Sequence, residues 1–291
     1  MAKITMMRGI LWMGLVVLTG WVMVAGAAGG EGAGQDSPVD IPLETYMGML
    51  ETVRVEIGGQ TMPFIFDTAG GMTILTPAVA DRLGLERYGR VTGFRMSGER
   101  VDLPRLGETS IGMGPLELSV EPVVFDLMAL LPEGWTELGG LISLHTLKDR
   151  MVTLDLGNSL ITFETEASLA DGVSGKTPVR ARLGRQAGGS ALDLFLEVQA
   201  PGGNLWIEID SGNTGPVLLA PHALAQLGIT AAGGPESWQG QCTLDFGGEC
   251  ALVVEAAKKD VIYDGVLNLS TIKKLVMTID IPGERVWLAR R

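Results

Sequence analysis

The sequence predicts an all-β protein built as two homologous lobes with short helices, related by a pseudo-twofold axis. Three observations carry the prediction. The chain twice runs a strand into an Asp and then into a loop of small residues; each copy follows this with a short helix opened by proline; and each closes with the same order of turn, helix, strand, turn and strand. Chance likeness of one pair of strands is common, but ordered agreement at three places is not. A long repeat with only two copies is not a solenoid.

The first element precedes the repeat. Lys3 and Arg8 stand before an apolar run from Ile10 to Val24, which exits through Ala25-Gly26-Ala27. A basic start, an apolar centre and an Ala-x-Ala exit read as an export signal, residues 1–27, cut after Ala27. The alternative is an uncleaved membrane tether, because the run nearly reaches the length that spans a bilayer. Either way the folded part is expected outside the cytoplasm, periplasmic or secreted. Residues 28–38 form a small-residue linker without apolar periodicity.

The first lobe is expected over residues 39–165. VRVEIGG (53–59) is a strand, and PFIFDTAGG (63–71) is its partner, ending on Asp67. MTILTPAVADRLGL (72–85) is an apolar stretch followed by a helix that Pro77 opens. GLISLHTLKDRMVTLDLGNSLITF (140–163) closes the copy. EASLADGVSG, residues 166–175, links it to a second lobe over 176–291. There LDLFLEV (192–198) leads through Pro201-Gly202-Gly203 to LWIEIDSGN (205–213), then TGPVLLAPHALAQLGI (214–229) and GVLNLSTIKKLVMTIDIPGERVWL (265–288). Pro221 answers Pro77, Leu227-Gly228 answer Leu83-Gly84, and residues 140–155 align with 265–280 without a gap.

Bulk properties exclude several classes. Hydrophobic residues make up 46 % of the 291 and charged residues 19 %, a core-forming composition. A net charge of −12, from 22 basic against 34 acidic side chains, leaves no basic stripe for nucleic acid. No Gly-x-Ser-x-Gly elbow, His-Glu-x-x-His helix, P-loop or dinucleotide fingerprint occurs, and no metal or cofactor is expected. The two cysteines, Cys242 and Cys250, flank TLDFGGE, which reads as a hairpin turning at Gly247-Gly248. An even count in an exported chain points to a disulfide between them, with free buried thiols as the alternative.

A strand that ends on a carboxylate has an ordinary explanation, since Asp is a good turn residue. The repeat adds another, because it places Asp67 and Asp210 at equivalent positions. Two such loops near a twofold axis face each other. Their carboxyls cannot both ionise freely, so they share a proton and can activate a water for direct attack on an amide. Thr68 and Ser211 stand ready to brace the loops, while Ala69, Gly70, Gly212 and Asn213 complete them with free backbone N–H groups.

FDTAGG and IDSGN resemble the Asp-Thr/Ser-Gly loops of aspartic proteases of the pepsin and retropepsin-like group, and the resemblance runs over essentially the whole chain after the signal. It implies the acid-protease fold with two β-barrel-like lobes, Asp67 and Asp210 as the catalytic dyad, and Thr68 and Ser211 as a cross-lobe hydroxyl grip. It also implies a flap: RVTGFRMSGERVDLP (90–104), with Phe94, Arg95, Met96 and Ser97 at a tip bracketed by Gly93 and Gly98. The second lobe has less chain between Gly228 and Gly265 than the first has between Gly84 and Gly140, so one working flap is expected. The implied function is an exported aspartic endopeptidase, a monomer acting on peptides or unfolded proteins with an acidic pH optimum. Three positions depart from the family pattern: Ala69, Ser143 and Asn268, where glycine is usual. They motivate the alternatives, an inactive pseudoprotease binding extended peptides or a partner protein in the same cleft and, more remotely, a structural envelope protein.

Overall fold

Alternation lays down the strands of both lobes in the same way. In Leu50–Ile57 the side chains of Val53, Val55 and Ile57 are buried while Arg54 and Glu56 face water. This strand turns back into Gln60–Asp67 through Gly58 and Gly59, both at positive φ as a tight two-residue hairpin turn requires. In the second lobe Asp193–Val198 pairs antiparallel with Leu205–Ile209. The computed structural model describes residues 37–229 and 238–291. The expected export signal (1–27) lies outside the described residues, as does the expected linker up to residue 36. No helix among the described residues is long and apolar enough to cross a membrane.

A third strand threads behind each Asp-bearing strand and fixes where it ends. Gly140–Ser143 runs parallel to Gln60–Asp67 with Gly140 opposite Phe64, and Gly265–Leu267 runs parallel to Leu205–Ile209 with Gly265 opposite Ile207. On its other side each pairs antiparallel, with Ile74–Leu75 or with Val217–Leu219. A Cβ on Gly140 would lie 1.9 Å from the Ile74 carbonyl oxygen, and one on Gly265 would lie 2.7 Å from that of Leu218. Only glycine lets the inserted strand pass. The helices Pro77–Leu83 and Pro221–Gln226 follow, and their ends reach Gly84 and Gly228 at φ 63° and 72°.

The lobes join through a shared antiparallel layer. The first contributes Val39–Tyr46, Leu160–Glu164 and Met151–Asp155, and the second Leu275–Asp280, Arg285–Arg290 and Thr177–Val179. At its centre Thr153 stands opposite Thr278, their hydroxyl oxygens 2.9 Å apart. These two threonines are equivalent in the gapless alignment of the closing segments, so the pseudo-twofold axis passes between them. The strands form a 15-stranded and a 7-stranded sheet, and neither closes into a barrel among the described residues. Their open edges are Thr177–Val179, Arg87–Phe94 and, on a side branch, Leu116–Val120 in one, and Ala181–Gly184 and Gln239–Asp245 in the other. One apolar core runs through both lobes, and a smaller cluster, including Leu50, Ile65, Ile74 and Leu141 of the first lobe, reaches Ala191 of the second.

One expectation gains detail and one is revised. The link 166–175 contains a helix, Glu166–Gly172, opened by a Thr165–Ser168 capping box and anchored by buried Leu169. Cys242 and Cys250 are both free. The hairpin turns at Gly247 and Gly248 as expected, but its register sets Cys242 opposite Val254 rather than opposite Cys250. Three steps of ladder, from Val254 back to Ala251, and one turn residue separate their positions, so the two Cα atoms lie about 10 Å or more apart, well beyond the Cα separation a disulfide spans.

Candidate active site

The two Asp loops meet at the lobe junction, and their neighbouring hydroxyls lock them together. Thr68 N–H donates to Ser211 Oγ and Ser211 N–H donates to Thr68 Oγ1, both at 3.0 Å. Each hydroxyl passes its own proton across the junction, Thr68 Oγ1 to the Ile209 carbonyl at 2.5 Å and Ser211 Oγ to the Phe66 carbonyl at 3.1 Å. All four bonds are buried and each has its counterpart under the twofold. Buried backbone groups need such partners. A further bond, Leu192 N–H to the Gly71 carbonyl at 3.0 Å, ties the first loop to the second lobe.

Above this lock the carboxyls of Asp67 and Asp210 lie within hydrogen-bonding reach of each other. Ala69 N–H donates to Asp67 Oδ1 at 2.9 Å; Gly212 and Asn213 N–H donate to Asp210 Oδ1 at 2.8 and 3.0 Å. Burial raises the Asp67 carboxyl above the ordinary range, with these backbone donors pulling against it. Burial raises Asp210 further, and the Asp67 charge beside it adds to the rise. At the second residue after the Asp, glycine is needed in one loop only. A Cβ on Gly212 would stand 2.5 Å from Asp67 Oδ2. Ala69, its counterpart, avoids positive φ, so its methyl group imposes no backbone strain.

The supports under the loops differ as well. Ser143 pairs with Asp67 in the parallel ladder, and its fully buried hydroxyl has no partner among the described residues. Asn268 is busy. Its Oδ1 accepts from Thr271 N–H at 3.0 Å and caps the helix Leu269–Ile272, while its Nδ2 donates to the Gly215 carbonyl at 2.5 Å.

The carboxyl pair opens into a cavity of about 610 Å³ roofed by the hairpin of Arg87–Phe94 and Arg100–Leu106. Gly93, Phe94, Arg95, Met96 and Ser97 all line it, and Gly98, at φ 79°, makes the turn beside them. Ile262 N–H donates to the Met96 carbonyl at 3.0 Å, so the hairpin tip reaches across to the second lobe. No residue of the second-lobe hairpin Gln239–Asp245 and Ala251–Lys258 lines the cavity.

Two further acids enter the cavity that sequence reasoning passed over, Asp193 and Glu208. Phe195 stands opposite Glu208, and the same register brings Asp193 level with Asp210, so alternation puts Asp193, Glu208 and Asp210 on one face. Gln186 Nε2 donates to Asp193 Oδ2 at 2.8 Å and to the Tyr263 hydroxyl at 3.1 Å. Burial and then the Asp67 charge push Asp193 up to about 7. Burial and the neighbouring Asp193, Asp210 and Asp67 push Glu208 to about 10. The signal was present in LWIEID: an acid two residues before Asp210 shares its face. Among the described residues no group of His, Cys, Asp and Glu has the arrangement of a metal site.

Comparison with known proteins agrees with this architecture. Residues 53–160 match a family model described as aspartyl protease. The crystal structure of Basic 7S globulin from soybean superposes with a TM-score of 0.55 at 9% identity, over 87% of this chain and 95% of that one. Conglutin gamma, a basic 7S globulin from lupine seeds, gives 0.53 at 9% identity over 88% and 95%. Likeness at this identity shows the fold, which is the pepsin-like one. No curated protein matches the sequence.

Proposed function

We propose that the protein is an exported aspartic endopeptidase: residues 53–160 match a family model described as aspartyl protease, and the fold is pepsin-like. The observation that carries the reading is the meeting of Asp67 and Asp210 above the reciprocal Thr68–Ser211 lock. A buried pair of carboxyls holds one proton between them. In the reaction Asp210 carries that proton and Asp67 the charge. A water between them gives a proton to Asp67 as its oxygen attacks the amide carbon, while Asp210 donates to the carbonyl oxygen. The tetrahedral intermediate then collapses: the C–N bond breaks, the amide nitrogen leaves with the proton that Asp67 took up, and one hydroxyl of the intermediate returns its proton to Asp210 as the carboxylic acid forms. The hairpin tip 94–97 is the flap, and its backbone holds an extended peptide over the dyad.

Export, to the periplasm or beyond, rests on residues 1–27, and an uncleaved tether would serve the same topology. The enzyme works as a monomer, since one chain supplies both carboxyls. Its substrate is a peptide or an unfolded protein. A second reading keeps the cleft and drops the chemistry: a binder of extended peptides. The observation favouring it is Ser143, whose partnerless hydroxyl lies in register with Asp67 and leaves that side of the support less tightly held.

A pH-resolved cleavage assay on an unfolded protein, starting at residue 28, separates the two. Hydrolysis requires one proton on the pair. Because burial raises both carboxyls, activity extends from the acid range toward neutral pH and fails as pH rises through the upper step. Turnover abolished by Asp67→Asn and by Asp210→Asn supports the protease. Peptide binding without turnover at any pH identifies the binder, and wild-type turnover in either variant removes the dyad.

A further inference from the structure

The cleft has two unlike walls. The first-lobe wall is apolar, built from Met72, Ile74, Leu103, Phe125, Leu127 and Leu141. The second-lobe wall carries Gln186, Asp193, Glu208 and Tyr263. We propose that this second wall is a subsite for a cationic side chain, lysine or arginine, of the bound peptide. The proposal rests on the reading that the cleft takes an extended peptide.

Glu208 is the telling residue. It is 4% exposed, lines the cavity, and has no hydrogen-bond partner among the described residues. Asp193, 5% exposed, has Gln186 alone. Neither acid is paired with a cation of the chain among the described residues. Arg95, the basic side chain lining the cavity, is engaged elsewhere, 3.4 Å from Glu99 and over the Phe125 ring. Burying two carboxyls without a counter-charge is costly and holds them in the neutral form. That neutral state is the one their positions near 7 and 10 describe.

An incoming ammonium or guanidinium changes the balance. It lets the acids ionise and supplies donors for their open lone pairs. The Tyr263 ring, set edge-on against Phe195 at 5.0 Å, adds an aromatic surface beside the charge. The apolar wall opposite refuses the same group, so the walls together set which way a peptide lies. The first-lobe counterparts of Asp193 and Glu208 are Leu50 and Ile65, by register with Asp67. The acids are therefore a property of one lobe and not of the shared strand scheme.

The test uses labelled peptides that differ at one position, lysine against norleucine, with that position scanned along the peptide. Binding is read by fluorescence anisotropy on the chain carrying Asp67→Asn, and cleavage is read in parallel on the wild type. At one position lysine should bind about tenfold or more tightly than norleucine, as expected where buried polar groups await a partner. Glu208→Gln, which keeps shape and removes charge, should bring the ratio toward one, and Asp193→Leu should do the same. Equal binding at every position, a preference untouched by Glu208→Gln, or no peptide binding at all overturns the subsite. Lysine-selective binding without wild-type cleavage removes the protease reading and leaves the subsite standing. Cleavage without lysine preference does the reverse.

Discussion

The two lobes present the same backbone to the cleft and put different chemistry on it. In both, an Asp-bearing strand is backed by a threaded strand behind a glycine and braced by a hydroxyl from the other lobe. Yet the face that carries Leu50 and Ile65 beside Asp67 carries Asp193 and Glu208 beside Asp210. The Ala69 loop answers the Gly212 loop, and the idle hydroxyl of Ser143 answers the fully used amide of Asn268. Symmetry is kept where the two loops must meet and abandoned where they meet something else. The shared features bring the two carboxyls together; the unshared ones set their surroundings.

The largest effect expected is on the shared part. Asp67→Asn and Asp210→Asn should each reduce cleavage about a thousandfold, the scale of losing positioned acid–base chemistry. Equal losses confirm that unlike surroundings serve one dyad, and a large difference breaks the comparison at its root.

The lock comes next. Thr68→Val and Ser211→Ala each strand a buried N–H and a carbonyl, so each should lower unfolding free energy by about 2–4 kcal/mol. The double variant should lose less than the sum, because the four bonds form one network. Denaturant unfolding measures all three.

The unshared acids should show in the pH dependence of stability. Asp193, near 7, and Glu208, near 10, both lie above ordinary carboxyl values. The folded state therefore holds protons that the unfolded chain releases. Their contribution is full below about pH 4 and is lost as pH rises, through about 7 for Asp193 and toward 10 for Glu208. The denaturant midpoint should fall from acid to neutral pH in the wild type. Replacing the acids by their first-lobe counterparts, Asp193→Leu with Glu208→Ile, should flatten that fall. An unchanged slope would mean the acids are hydrated and not buried as a pair.

The smallest contrast lies in the supports. Asn268→Ala removes a helix cap and a loop tie and should lose about 1–2 kcal/mol. Ser143→Ala removes a hydroxyl that satisfies nothing, and should be neutral or gain up to about 1 kcal/mol. Equal losses at the two sites would show that Ser143 is as firmly held as Asn268.

Much of this was legible in the chain. The repeat of FDTAGG in IDSGN, the matched Pro77 and Pro221, and the gapless closing segments gave the lobes, the twofold and the meeting of Asp67 with Asp210. Thr68 and Ser211 were readable as braces because they repeat too. What does not repeat was harder to see. Asp193 and Glu208 have apolar counterparts, so an eye trained on repetition passes over them, although alternation in LWIEID places Glu208 beside Asp210. The disulfide failed on register, since spacing in sequence does not say which residue stands across a hairpin. The linker helix was missed because its capping box, Thr165 with Ser168, lacks the usual Glu or Gln at the third position.

The central claim is that the two lobes build one proton-sharing pair. Carbon-13 NMR titration of the Asp carboxyls, with Asp67→Asn and Asp210→Asn to assign them, tests it most directly. The account predicts that Asp67 and Asp210 titrate together, with shared inflections displaced upward. It also predicts that removing the Asp67 charge by Asp67→Asn lowers the Asp210 titration, that charge being part of what raises Asp210. Two independent single-step curves near the ordinary carboxyl value, each indifferent to loss of the other, would contradict it.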